Sequence, residues 1–174
     1  MVMSSNQLDV VIEDDRWKIS LEDIEIWSEF VFEEVVDFLH KKDLGFDGWK
    51  GQPIFVTLAL SNDEHVQSLN YEFRGKDKPT NVLSFANIDD DAFFDVVGGV
   101  ENIELGDIII ALETLNREAD EKKVPLKNHF AHLLVHGILH LFGYDHQEDD
   151  EAEEMESIEI EILKKFGINN PYEG

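Results

Sequence analysis

Two histidines one helical turn apart, followed by a glycine and a third histidine, constrain this chain more than any other feature. They lie in His136-Gly137-Ile138-Leu139-His140-Leu141-Phe142-Gly143-Tyr144-Asp145-His146. Apolar residues recur at helical spacing over residues 126–142, so the imidazoles of His136 and His140 stack on one helix face. Gly143 permits the left-handed conformation that ends a helix and turns the chain back, which brings His146 towards the same point. Three converging neutral imidazoles leave a fourth position for water, as in a catalytic rather than a structural zinc site. His136, His140 and His146 are therefore the candidate ligands of one metal ion. Zinc is the first choice, and nickel or copper also suit three imidazoles.

The offsets reproduce the His-Glu-x-x-His-x-x-Gly-x-x-His pattern of metzincin proteases at every position but one. Gly137 stands where that pattern carries its glutamate, the base that deprotonates water in peptide hydrolysis. A glycine has no group able to do this, so the metal scaffold is kept while the peptidase reading loses its proton transfer. His132 lies one turn upstream on the same side. A fourth histidine would overfill the site, which leaves His132 a supporting or surface role.

A second constellation lies earlier in the chain. Arg74, Lys76 and Lys78 are crowded into a turn set by Gly75 and Pro79 that leads into an apolar run. The planar fork of a guanidinium grips a phosphate through two hydrogen bonds, which an ammonium does not. Arg74 is thus the candidate contact for an anionic substrate, against the plainer alternative of an exposed loop with scattered charges. Arg117, Lys122, Lys123 and Lys127 form a second small basic group just before the histidine helix. If both groups flank the metal, the cleft is locally positive.

Elsewhere the chain is acidic. With 14 Lys+Arg against 39 Asp+Glu, its formal net charge is -25. Such a surface repels polyanions on average, counts against extensive nucleic-acid binding and favours basic partners. The absence of cysteine excludes disulfides, thiolate catalysis and cysteine metal cages, and it fits a reducing compartment. Residues 1–15 lack the basic start and apolar core of a signal peptide, and no apolar run is long enough to span a membrane. The expectation is a cytoplasmic protein with no membrane partner, its 174 residues forming one domain, 1–174, with a real core.

Hydrophobic periodicity predicts strands over 8–13, 54–60, 80–86 and 103–111. It predicts helices over 20–41, 61–73, 112–120, 126–142 and 149–166. Gly45 with Gly48, and Gly98 with Gly99, mark breaks. Ser20 with Asp23, and Ser61 with Glu64, read as helix caps. Asp89, Asp90, Asp91 and Asp95 read as a solvated, mobile loop. Helices and strands are interspersed, so the class is α/β or α+β with a small sheet.

Taken together, residues 136–146, residues 70–85 and Leu105-Gly106-Asp107-Ile108 resemble the YbeY family of metal-dependent endoribonucleases. The likeness spans residues 54–147. It implies an α+β fold, a small mixed β-sheet packed with several helices, with the metal site on the His-bearing helix and the following turn. It also implies a zinc-dependent nuclease that matures ribosomal RNA at the 3' end of the small-subunit RNA and serves ribosome quality control. The expected partners are ribosomal RNA, the small ribosomal subunit and basic ribosomal proteins. His136, His140 and His146 carry over as metal ligands, and Arg74 as the family's essential arginine at the substrate phosphate. Single-stranded RNA is the more accessible substrate. No general base is evident, Asp145 is placed to orient a histidine, and attack by water or by the RNA's own 2'-hydroxyl both stay open. Two rivals are a zinc hydrolase of another substrate class and a non-catalytic ribosome-assembly factor with a structural metal. The acidic stretches at 89–95 and 148–161 depart most from the family.

Overall fold

The computed structural model describes residues 6–46, 49, 52–97, 101–145 and 147–173. The expected breaks at Gly48 and at Gly98 and Gly99 lie outside the described residues, as does His146. The strands are β1 (Gln7–Ile12), β2 (Ile54–Ser61), β3 (Val82–Ala86) and β4 (Ile103–Ala111). The helices are α1 (Arg16–Ser20), α2 (Ile24–Lys41), α3 (Asp63–Arg74), α4 (Phe93–Val97), α5 (Leu112–Lys122), α6 (Leu126–Leu141) and α7 (Asp149–Lys164). The four strands form one sheet in the order β1-β2-β4-β3. β1, β2 and β4 run parallel, and β3 pairs antiparallel with β4 at the edge. The fold is α+β with a small mixed sheet, as the motif resemblance implies.

Period-two alternation decides which side of the sheet each residue serves. On β2, Ile54, Val56, Leu58 and Leu60 are all buried in the main core. On β4, Ile108 and Ile110 join that core, while Ile109 and Ala111 pack with Leu83, Phe85, Val66 and Leu69 in a smaller cluster. The main face is covered by α2 and α6, with α7 packed on those two helices, and α3 covers the other. α6 is apolar almost all round, which marks a buried helix rather than a surface one. Its Phe130, Leu134, Val135, Ile138 and Leu139 are all 0% exposed.

Gly137 explains how α6 lies so close to the sheet. A Cβ on Gly137 would sit 3.1 Å from Ile108 Cγ2 and 3.2 Å from Ser84 Oγ. The position therefore faces β3 and β4, and a larger side chain there would push the helix away.

Three local expectations shift. α3 is capped by Asn62, whose side chain accepts from the His65 amide at 2.9 Å, because Ser61 is still paired in the sheet as the last residue of β2. Ser20 does not open the long helix. It ends the separate α1, whose buried Trp17 donates its indole N–H to the Ser61 carbonyl at 2.8 Å. The acidic stretch expected as a mobile loop contains a 3-10 turn, Asn87–Asp89, and then α4. Phe93 anchors it at 7% exposure against Phe46, with ring centroids 5.3 Å apart, an aromatic contact that outweighs the solvated aspartates around it.

Candidate active site

α6 sets out the site by carrying four histidines along one stripe. His129 is buried, and its Nε2 lies 2.8 Å from Glu118 Oε1. His132 is also buried, its Nε2 3.2 Å from the Tyr172 hydroxyl and 3.5 Å from Glu159 Oε1. This gives His132 the supporting role and removes the surface one. His136 and His140 follow, partly exposed, with their Nε2 atoms 3.0 Å apart at the wall of a cleft of about 450 Å³.

Glu159 lies behind that pair, 0% exposed on α7. Its Oε1 accepts from His136 Nδ1 at 2.9 Å, and its Oε2 accepts from the Tyr172 hydroxyl at 2.7 Å. Burial works against its charge, yet hydrogen bonds from His132, His136 and Tyr172 outweigh that cost and hold its pKa at about 2. The same burial, with the neighbouring carboxylates, pushes the Tyr172 hydroxyl well above its ordinary range. With Nδ1–H given to Glu159, a neutral His136 turns its Nε2 lone pair to the cleft, which is the tautomer a metal requires.

Sequence reading does not single out Glu159, one of many carboxylates in the acidic stretch 148–161. The signal was present. Met155, Ile158, Ile162 and Leu163 form a buried stripe at helical spacing, and Glu159 sits inside it. A carboxylate in such a stripe is rare unless a partner faces it.

After α6, the chain turns as expected. Gly143 adopts φ 100, its amide bonds the His140 carbonyl at 3.0 Å, and the Tyr144 amide reaches the Leu139 carbonyl at 3.1 Å. Asp145 lines the cleft beyond that turn. His146, the expected third ligand, lies outside the described residues. Among the described residues no three His, Cys, Asp or Glu side chains are grouped to hold an ion. The two placed imidazoles nevertheless have the donor chemistry and spacing that a divalent ion asks of two ligands. A tetrahedral zinc with bonds of about 2.0–2.1 Å holds its ligand nitrogens about 3.3 Å apart.

Arg74 lines the same cleft. It is the last residue of α3, where the helix carbonyls favour a cation, and its Nη2 donates to the Ser84 carbonyl at 3.5 Å. It is the only lysine or arginine among the described residues lining the cleft, which Asp89 and Asp145 also line. Among the described residues, the two basic groups therefore do not both flank the cleft, and the locally positive cleft considered from sequence is not formed. Arg117 is drawn to Asp63 at 3.1 Å, Lys127 lies over the Trp27 ring at 4.4 Å, and Lys122 and Lys123 line a separate hollow beside His129 and His132.

Sheet, buried helix and paired imidazoles define the class: an α+β domain whose candidate chemistry sits at one end of a central histidine helix. The fold resembles that of a Thermotoga maritima protein solved in solution, with a TM-score of 0.56 over 97% of each chain at 22% identity. Residues 10–167 match the family model described as Endoribonuclease YbeY. The endoribonuclease YbeY of Sinorhizobium medicae is 41% identical over 98% of this chain and 96% of its own. That of Agrobacterium fabrum is 41% identical over 99% and 98%, and that of Colwellia psychrerythraea is 52% identical over 70% and 74%. The chain belongs to the endoribonuclease YbeY family.

Among the described residues no helix is long and apolar enough to cross a membrane.

Proposed function

We propose that this chain is a zinc-dependent, single-strand-specific endoribonuclease acting as one domain, 1–174, in the cytoplasm. Its substrate is ribosomal RNA of the small subunit, cut in 3'-end maturation and in quality control. Family membership, with relatives named as endoribonucleases, supports the reaction class. One observation carries the site: the Nε2 atoms of His136 and His140 meet 3.0 Å apart in the cleft that Arg74 lines. His146, three residues after Gly143 in sequence, would complete a three-imidazole set for zinc, or for nickel or copper.

The chemistry such an ion supplies when bound is Lewis acidity at a phosphate oxygen and a lowered pKa, about 7, for water at the open position. Arg74 binds the scissile phosphate through its guanidinium fork and offsets charge that grows on the non-bridging oxygens. Glu159 keeps the His136 ring oriented and in the ligating tautomer. Gly137 weighs against a peptidase, because it has no side chain to serve as the general base that the protease pattern carries at this position. The acidic exterior suits docking on basic ribosomal proteins of the small subunit, where RNA reaches the cleft as part of a larger complex.

The test is cleavage of a labelled single-stranded RNA by zinc-loaded wild type and Arg74→Ala. Turnover should fall about 10²- to 10³-fold, the usual cost of losing one preorganised charge-stabilising donor, with zinc content and fold unchanged. Wild-type protein that carries zinc yet leaves RNA uncut, even on the small subunit, would favour the assembly-factor alternative.

A further inference from the structure

A chain of net charge -25 with one arginine in its cleft must hold RNA by something other than a broad basic surface. The hollow next to Arg74 offers another source of affinity. About 320 Å³ in volume, it shares Arg74, Ser84 and Asp89 with the main cleft and adds Phe73 and Phe85. Phe73, one residue before Arg74 at the end of α3, is 61% exposed. Its ring rests edge-on against Phe85, with centroids 5.3 Å apart and planes at 64°. Phe85 is itself anchored in the smaller core cluster with Val66, Leu83 and Ala111. A lone exposed phenylalanine is ordinary. An exposed ring braced by an anchored one, beside a phosphate-binding guanidinium and on an edge strand, is not.

From this geometry, and resting on the RNA reading above, we infer that Phe73, braced by Phe85, is a stacking platform for one unpaired base of the substrate. That base belongs to a nucleotide next to the phosphate held by Arg74. Charge sorts the two halves of the nucleotide. Asp89, which lines both hollows, repels a phosphate but accepts hydrogen bonds from a base's exocyclic amino group, so the backbone goes to Arg74 and the neutral base to the rings. Every base has a π-face, so stacking gives affinity without sequence specificity and without counterion release. The platform also requires an unstacked base, which favours single strands over duplex.

The experiment uses the zinc-loaded full chain and a short fluorescent single-stranded RNA, read by anisotropy and by cleavage. Phe73→Leu keeps apolar bulk against Phe85 but removes the aromatic face, and Phe73→Trp enlarges it. Phe73→Leu should bind roughly ten-fold or more weaker, and Phe73→Trp at least as tightly as wild type. The ratio of wild type to Phe73→Leu should hold as salt is raised, whereas the ratio of wild type to Arg74→Ala should shrink. An abasic position walked along the RNA should weaken wild type at one site and leave Phe73→Leu indifferent there. Equal affinity of wild type and Phe73→Leu for an RNA that wild type cleaves would overturn the platform alone. Failure of wild type to bind or cut any RNA would overturn the platform together with the nuclease reading.

Discussion

The two halves of α6 each carry a pair of histidines on one face, three residues apart in the first and four in the second, and use them differently. In the N-terminal half, His129 and His132 are 3% and 7% exposed and each faces a partner across a packed interface, Glu118 for one and Tyr172 with Glu159 for the other. In the C-terminal half, His136 and His140 turn their Nε2 atoms to each other at a cleft wall. A helical stripe of histidines sets only direction. What stands opposite decides the role of each pair. α5 and the C-terminal segment face the first pair, while the second pair lines the cleft. Glu159 joins the halves, since one carboxylate lies 2.9 Å from His136 Nδ1 and 3.5 Å from His132 Nε2.

That division can be broken at the joint. Glu159→Gln keeps the shape but loses the charge that favours the ligating form of His136. Zinc affinity should fall about 10- to 100-fold, the usual cost of disturbing a ligand's outer partner, as measured by competition with a chromogenic chelator. Unchanged affinity would mean that His136 needs no such support. A smaller effect of a different kind is expected at the other end. His129→Ala should lower stability by about 1–3 kcal/mol in urea unfolding, because a buried hydrogen bond to a carboxylate is lost, while zinc content and RNA cleavage stay as in wild type. A loss of zinc in that variant would erase the distinction between the halves.

The smallest effect concerns acid. Burial raises the Glu118 pKa, but hydrogen bonds from His129 and Asn81 more than reverse this, and the folded value lies below the ordinary 4.5. A carboxylate lowered on folding contributes stability fully above its unfolded pKa and loses it as pH falls towards the folded one. Glu118→Gln should therefore flatten the fall in melting temperature below about pH 4.5 and leave a constant offset at neutral pH. A wild-type acid limb retained in the variant would assign that limb to other carboxylates.

Much of this was legible in the sequence, for reasons that differ by element. β2 shows as a mainly apolar run because it is buried, β4 as an apolar stretch interrupted by the exposed Glu104 and Asp107, and α6 through its length and the glycine that ends it. The candidate site was legible where spacing alone sets geometry, in the one-turn offset of His136 and His140 and in the basic turn after Arg74. It was not legible where two distant segments meet. Glu159 and Tyr172 reach the histidines only through the packing of α7 and the C-terminal segment on α6, and the pairing of Arg117 with Asp63 depends on α3 meeting α5. α4 was missed because one anchored Phe93 among aspartates gives no periodicity. The expected ligand His146 lies outside the described residues, so its place in the site remains a proposal carried by its spacing from Gly143.

The central claim is that the C-terminal half of the stripe, with His146, holds one catalytic metal ion. Its most direct test is elemental analysis of purified wild type beside His140→Ala, with RNA cleavage followed in the same preparations. The expected result is about one zinc per chain in wild type, and neither metal nor cleavage in a folded variant. Zinc retained in His140→Ala, or none in wild type after zinc is supplied, would contradict it.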